Sequence, residues 1–108
     1  MRPTGSRRAA RKDDNDKPLA GRAKKNHGWF IVHMAPGQGF DWLALLPCGC
    51  KEIIEIKNPS QPPSARKLTD QELSLFEECV SRNIIYRIIE TEAQLDGIAL
   101  SHAGHNCC

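Results

Sequence analysis

The stretch GFDWLALLPCGCKEIIEIKN, residues 39–58, decides the fold. Two short apolar runs flank a Pro-Cys-Gly-Cys break, and one acid opens the first run while Glu-Ile-Lys closes the second. Apolar runs of this length that are interrupted by turn residues predict two β-strands, over about residues 41–47 and 51–57. We therefore expect a hairpin that turns at Cys48-Gly49-Cys50.

The register of this hairpin determines which polar side chains meet. Pairing across a turn at residues 48–50 makes opposed residue numbers sum to about 98, so that Asp41 faces Lys57. Because side chains alternate between the two faces of a sheet, Asp41, Glu55 and Lys57 then share one face. The two carboxylates would be diagonal neighbours, roughly 7–8 Å apart at the backbone. The opposite face is apolar and consists of Trp42, Ala44, Leu46, Ile54 and Ile56.

Two carboxylates at this spacing can both reach one cation. Mg²⁺ favours one or two carboxylates and completes its shell with water and substrate phosphate. Such an ion polarises a phosphodiester and lowers the pKa of a bound water, while Lys57 can orient that water or stabilise developing charge. The pattern thus indicates metal-assisted phosphodiester hydrolysis. From spacing alone, a solvated ion pair between Asp41 and Lys57, with Glu55 exposed, is the alternative.

The 108-residue chain has the size of one small domain and the apolar and charged fractions of a soluble globular protein. No apolar stretch reaches the ~18 residues of a membrane span, and the N-terminus lacks a secretory signal. We therefore expect no membrane association and a cytoplasmic location, with all five cysteines as reduced thiols.

Charge is divided unevenly along the chain. Residues 1–27 carry nine Lys or Arg and three Asp, a net charge of +6, whereas the rest carries −4. We expect residues 1–12 to be a disordered basic arm, residues 13–100 to form the domain, and residues 101–108 to be a disordered tail. A basic arm suits an electrostatic grip on a polyanion, although a merely solubilising tail fits the charge equally well.

The remaining patterns predict an element order of α-β-β-β-α-β-α. Capping boxes at Thr69–Glu72 and Thr91–Gln94 open two helices, predicted to end near Arg82 and Leu100. The proline-rich segment 58–66 is predicted to contain neither helix nor central strand. A first helix over 14–27, in whose first turn Pro18 would lie, and strands over 29–34 and 84–89 complete an α/β fold, a mixed sheet of about four strands flanked by helices.

The stretch from Gly39 to Glu72 resembles the PD-(D/E)XK nuclease superfamily. It is most similar to small phage and prophage proteins of the VRR-NUC and Holliday-junction-resolvase-like groups. The shared features are a glycine-rich loop, an Asp that opens one strand, E-x-K at the end of the next, and the loop NPSQPPSARKLT. The resemblance spans about residues 12–95 and implies a restriction-endonuclease-like fold.

The resemblance also implies roles for individual residues. Asp41 and Glu55 would bind Mg²⁺ or Mn²⁺ together with the backbone carbonyl of Ile56, and Lys57 would take part in catalysis. The segment Asp13-Asp14-Asn15-Asp16 is similar to the opening of the first helix in this superfamily, which adds Asp16 as a supporting acid.

Two positions depart from the pattern. Phe40 replaces the proline of the PD motif, and Glu72 stands where the family has Gln. Glu72 would repel phosphate unless it binds metal, and its place in a capping box accounts for it without catalysis.

Other groups of the sequence could bind phosphate or metal. Arg66 and Lys67 precede a helix N-terminus and are candidate phosphate contacts, as are Arg7, Arg8, Arg11 and Lys12 in the arm. Cys48 and Cys50 with His102, His105, Cys107 and Cys108 could supply zinc ligands. The C-x-C spacing is shorter than the usual C-x(2–4)-C, which favours a simple turn and a frayed end.

The sequence as a whole predicts a magnesium-dependent nuclease that acts on branched or duplex DNA in a bacterial or phage-infected cell. RNA stays open as a substrate, and the small size favours a homodimer. The main alternative is a nucleic-acid-binding module that keeps the fold without catalysis.

Overall fold

A computed structural model defines the backbone of residues 4–103 and the side chains of residues 15–103. The order α-β-β-β-α-β-α is confirmed. The helices are α1 (Thr4–His27), α2 (Asp70–Ser81) and α3 (Glu92–His102), and the strands are β1 (Phe30–His33), β2 (Trp42–Leu45), β3 (Lys51–Ile56) and β4 (Tyr86–Ile89). One 3-10 turn, Pro63–Ala65, interrupts the proline-rich segment in which no helix was expected.

The four strands form one mixed sheet in the order β1-β2-β3-β4. The first three are antiparallel neighbours, and β4 lies parallel to β3. Because a parallel neighbour requires a crossover connection, the chain passes over one face of the sheet between β3 and β4, and this connection contains α2. The sheet is therefore flanked by helices, as the sequence predicts.

The predicted hairpin register is wrong by two residues. Trp42 pairs with Ile54 and Leu45 pairs with Lys51, so opposed numbers sum to two less than expected. Pro47 has no amide hydrogen and cannot donate to the opposite strand. The hydrogen bond nearest the turn therefore comes from the Leu46 amide, which donates to the Cys50 carbonyl at 2.9 Å. A shift of two residues preserves which side chains share a face, so Asp41 and Glu55 still lie on the same one.

The core lies between the sheet and the pair α1 and α3. Leu19 and Ala23 of α1 and Leu95 of α3 are buried against the predicted apolar face of the hairpin. All five residues of that face are at most 6% exposed, namely Trp42, Ala44, Leu46, Ile54 and Ile56. Helix α2 covers the opposite face, where the Phe76 ring meets the Tyr86 ring edge-on at 5.6 Å.

Both ends of the described chain are more helical than expected. Helix α1 begins at Thr4, so residues 4–12 continue the helix, and Pro18 lies well inside it rather than in its first turn. Helix α3 extends through Ser101 and His102. The remaining residues of the predicted arm and tail, 1–3 and 104–108, lie outside the described part.

Helices α1 and α3 are joined by an ion cluster. Arg22 donates two hydrogen bonds to the Asp96 carboxylate, at 2.9 and 2.7 Å, and His27 Nε2 lies 2.8 Å from the same group. These contacts fix the two helices on one face of the sheet. Within residues 4–103 no helix has the length and apolar character that crossing a membrane requires.

Candidate functional site

Asp41 and Glu55 meet at the end of the hairpin that lies away from its turn. Asp41 immediately precedes β2, and its amide donates to the Ile54 carbonyl at 2.9 Å. The carboxylate of Asp41 in turn accepts the Ile56 amide, with Oδ2 2.8 Å from the nitrogen. This bond holds the Asp41 side chain over β3, beside Glu55. The carboxylates thus share a face, as the predicted alternation requires.

Lys57 lies on the same face and is held between two acids. Its Nζ is 2.8 Å from Glu72 Oε1 and 3.3 Å from Glu55 Oε2. Its backbone is tied down as well, because the Lys57 amide donates to Ile89 and its carbonyl accepts from the Asn15 side chain. The solvated ion pair of Asp41 with Lys57 is therefore not the arrangement found, since Lys57 is only 10% exposed and pairs with two glutamates.

Glu55 is the most constrained ionisable group of the site. Its side chain is 1% exposed, and its Oε2 lies 3.3 Å from the Lys57 ammonium group without accepting a well-aligned hydrogen bond from a described residue. Burial raises the pKa of Glu55 to about 8, with further increases from the Asp41 charge and from Glu72, whereas Lys57 opposes the shift. The site thus holds a carboxylate whose ionisation the protein alone does not compensate.

Glu72 has two roles in this structure. It caps α2, because its Oε1 accepts the Thr69 amide at 2.9 Å while its own amide donates to the Thr69 hydroxyl. The same Oε1 is the partner of Lys57. Burial opposes ionisation of Glu72, but the hydrogen bonds from Lys57 and Thr69 outweigh it, so the pKa of Glu72 is lowered. The capping box explained one role, and only the tertiary structure adds the second.

The glycine-rich loop forms one wall of the site and is bound to α2 and β4. Gly39 has a φ of +90°, and a Cβ there would lie 3.2 Å from Leu75 Cδ2 of α2. The Gly39 carbonyl accepts the Tyr86 hydroxyl at 2.8 Å, and the Gly37 carbonyl accepts the Gln71 side chain. Burial, with the charges of Glu55, Glu72 and Asp41, raises the pKa of Tyr86, so Tyr86 acts as a neutral donor. Sequence reasoning missed this residue, which gave no signal beyond its place on a buried strand.

A cavity of about 500 Å³ opens in front of these groups. Asp16, Asp41, Glu55 and Glu72 line it, together with His33 and the glycine-rich loop. Asp16 is oriented by the Trp42 indole, which lies 3.2 Å from both of its carboxylate oxygens. The predicted supporting acid therefore faces the same cavity as the two predicted metal ligands.

Several oxygen donors could hold a cation here. Carboxylate oxygens of Asp41, Glu55 and Asp16 are hard ligands of the kind Mg²⁺ prefers. The buried Oε2 of Glu55, whose charge Lys57 compensates only in part, fits a cation that would supply the missing charge. Ile56, whose carbonyl was predicted as a ligand, ends β3 and contacts Asp41 through its amide.

Arg66 and Lys67, two of the predicted phosphate contacts, do not line this cavity. Arg66 pairs with Glu90, at 3.4 Å, and Lys67 follows it before α2. The side chains of Arg7, Arg8, Arg11 and Lys12 lie outside the described residues, although their backbone belongs to α1.

Comparisons with known proteins agree with this architecture. A solved structure described as a VRR_NUC domain is similar to this chain with a TM-score of 0.59 at 20% sequence identity. The similarity covers 82% of this chain and 97% of that one. No protein-family model and no curated protein matches the sequence. The VRR_NUC domain belongs to the PD-(D/E)XK nuclease superfamily, so the predicted restriction-endonuclease-like fold is confirmed.

Proposed function

We propose that this chain, which has the fold of a PD-(D/E)XK nuclease domain, is a metal-dependent nuclease that hydrolyses phosphodiester bonds in DNA. The observation that carries the proposal is the buried Glu55 carboxylate, which lies beside Asp41 and whose charge Lys57 compensates only in part. A surface ion pair would not require such burial, because exposed carboxylates are solvated at little cost.

Different residues of the cavity would bind the metal ion and stabilise the charge of the transition state. Asp41, Glu55 and the supporting Asp16 would hold Mg²⁺ or Mn²⁺, which polarises the phosphodiester and lowers the pKa of a bound water. Lys57 stabilises negative charge that develops on the phosphate, and Glu72 positions its ammonium group. The burial of Glu55 lowers the effective dielectric constant around its carboxylate, which strengthens these interactions.

The charge distribution favours a nucleic acid as the substrate. The acids of the cavity would repel phosphate without a cation, whereas the first 27 residues supply a net charge of +6. Backbone contacts from Arg and Lys hold nucleic acid without selecting a sequence. Branched and duplex DNA are both included in the proposal, and RNA is tested alongside them.

A second function is favoured by one observation. Lys57 is bound to Glu72 at 2.8 Å, and an ammonium group held this closely by a carboxylate is less available to a phosphate. A catalytically inactive nucleic-acid-binding module with the same fold would keep this ion pair and require no metal.

The experiment is a cleavage assay on branched, nicked and linear DNA and on RNA, with Mg²⁺, Mn²⁺ or EDTA. Asp41→Asn, Glu55→Gln and Lys57→Ala should each lower the rate at least about 100-fold, because each removes a metal ligand or a charge that acts in the transition state. The matched control is Glu77→Gln, an exposed acid on α2, which should leave the rate unchanged.

Three outcomes would contradict the nuclease proposal. Cleavage by the wild-type protein that persists in EDTA would show that another site or a contaminant is responsible. Cleavage by all three variants at the wild-type rate would show the same. Binding of DNA without cleavage of any substrate under any metal would support the inactive module.

A further inference from the structure

A second cluster of polar groups lies at the turn of the hairpin, at the end of the strands away from the carboxylates. It consists of Cys48 and Cys50, on either side of Gly49, and His102 in the last turn of α3. One side-chain ligand atom from each of the three residues lies within 4.8 Å of the other two. The nuclease chemistry uses none of these groups.

We propose that the reduced chain binds one structural Zn²⁺ through Cys48, Cys50 and His102. In a tetrahedral site, Zn–S bonds of about 2.3 Å and Zn–N bonds of about 2.0–2.1 Å place sulfur and nitrogen about 3.5–3.6 Å apart. The Cys48 Sγ lies 3.5 Å from His102 Nδ1. The two atoms already have the separation of ligands that share one ion.

The histidine is oriented in the manner of a zinc ligand. Its other nitrogen, Nε2, lies 2.6 Å from Glu52 Oε2, and the Glu52 side chain is fully buried. Ligating histidines usually donate their second N–H to a carboxylate, which fixes the ring and leaves the other nitrogen facing the metal. Arg87 holds Glu52 in turn, with Nε 3.0 Å from Oε1, so the carboxylate itself cannot rotate away.

The short C-x-C spacing, which argued against zinc, is compensated by the turn. Gly49 has a φ of +95°, a conformation that side-chain-bearing residues seldom adopt, and its amide donates to the Leu46 carbonyl. The chain therefore reverses between the two cysteines, and both sulfurs come within reach of His102.

His105, Cys107 and Cys108 lie outside the described part of the structure, and the proposed site does not include them. Cys50 is disulfide-bonded, which corrects the expectation of reduced thiols throughout. Zinc binding requires thiolates, so the proposal concerns the protein kept in a phosphine reductant.

The site would serve to fasten α3 to the hairpin. Helix α3 otherwise contacts the hairpin side of the core through Leu95, Ile98 and Ala99. A metal at His102 adds a link at the C-terminal end of the helix, beyond these contacts. Binding to the folded state alone raises stability by mass action.

The test is zinc stoichiometry of the reduced full-length protein, by elemental analysis after dialysis, together with Co²⁺ titration followed by thiolate-to-cobalt absorption. Wild type should hold one equivalent, show the absorption band, and melt at a higher temperature with zinc than after chelation. Cys48→Ser, at an exposed turn position, should weaken zinc binding at least about tenfold. The thiol control, Cys79→Ala on α2, should bind as wild type does.

Glu55→Gln alters the carboxylate site at the other end of the hairpin and should leave the zinc stoichiometry unchanged. The proposal is overturned if reduced wild type retains no zinc and gives no cobalt band, in which case His102 serves only the ion pair with Glu52. Equal zinc retention by Cys48→Ser and wild type would overturn it as well. Neither measurement uses DNA, so failure here is distinct from failure of the nuclease proposal.

Discussion

At the scale of single residues, the burial of Glu55 lowers the stability of the metal-free protein. Burying an ionised carboxylate costs free energy unless a partner compensates it, and Lys57 does so only in part because it also binds Glu72. The raised pKa of Glu55, about 8, reports this deficit. A bound divalent cation would compensate this deficit.

Replacing Glu55 by Gln should therefore stabilise the metal-free protein. The folded state holds a proton that the unfolded chain releases above its ordinary value of 4.5, so stability falls as pH rises from about 4.5 to 8. Glu55→Gln removes this loss, and we expect the free energy of unfolding in EDTA to rise by about 1–3 kcal/mol at pH 7.

Urea denaturation at pH 5 and pH 7 measures this effect. The gain should shrink at pH 5, and Glu77→Gln should show no gain at either pH. A Glu55→Gln protein that is less stable than wild type at pH 7 would mean that Lys57 already compensates the charge.

At the scale of elements, the two capping boxes make a natural comparison. Thr69 opens α2 and Thr91 opens α3, and each hydroxyl accepts the amide three residues on, at 3.2 Å. The boxes differ in what else they hold. Gln94 of the second box caps only the backbone of its own segment, whereas Glu72 of the first also holds Lys57. Local sequence predicts both helix starts, but only the first is connected to the site.

Thr69→Ala and Thr91→Ala should destabilise the protein by similar amounts, about 1 kcal/mol each, because each removes one N-cap hydrogen bond. Cleavage should fall several-fold in Thr69→Ala only, since loss of the cap frees Glu72 and with it Lys57. Thermal melts and initial rates, measured well below the melting temperature, separate the two effects. Equal loss of activity in both variants would show that stability alone matters.

At the scale of the whole molecule, the two clusters of polar side chains lie at opposite ends of the hairpin. The carboxylates lie at the end of the strands away from the turn, and the cysteine–histidine cluster lies at the turn. The basic residues concentrate in the first 27 positions, which belong mostly to α1. Asp16 of the same helix lines the acidic cavity, so nucleic acid that contacts α1 would lie close to that cavity.

This division of charge predicts a salt-dependent affinity for DNA. Neutralising Arg7 and Arg8 together to Gln should weaken binding and make the slope of log K against log salt shallower by about 1–2, because fewer counterions are released. The matched pair Lys51 and Arg82, both exposed, should change neither when altered to Gln. Fluorescence anisotropy over a salt series measures both quantities. Identical slopes for the two pairs would exclude α1 as the binding element.

The sequence by itself determined the element order and the face on which each side chain lies. Helix starts follow from capping boxes, strands from apolar runs, and the grouping of Asp41, Glu55 and Lys57 from strict alternation, all of which are local rules. The absolute register was missed because it depended on how the chain turns around Pro47, a matter of backbone hydrogen bonds rather than of side-chain pattern.

Only the tertiary structure decided which charges compensate each other. The partnership of Lys57 with Glu72, the burial of Glu55, and the meeting of His102 with Cys48 and Glu52 join residues 15 to 54 positions apart. No local pattern encodes such contacts, because they arise from packing α2 and α3 against opposite faces of one sheet. Electrostatic energy depends on distance and burial, and both of these are properties of the folded chain.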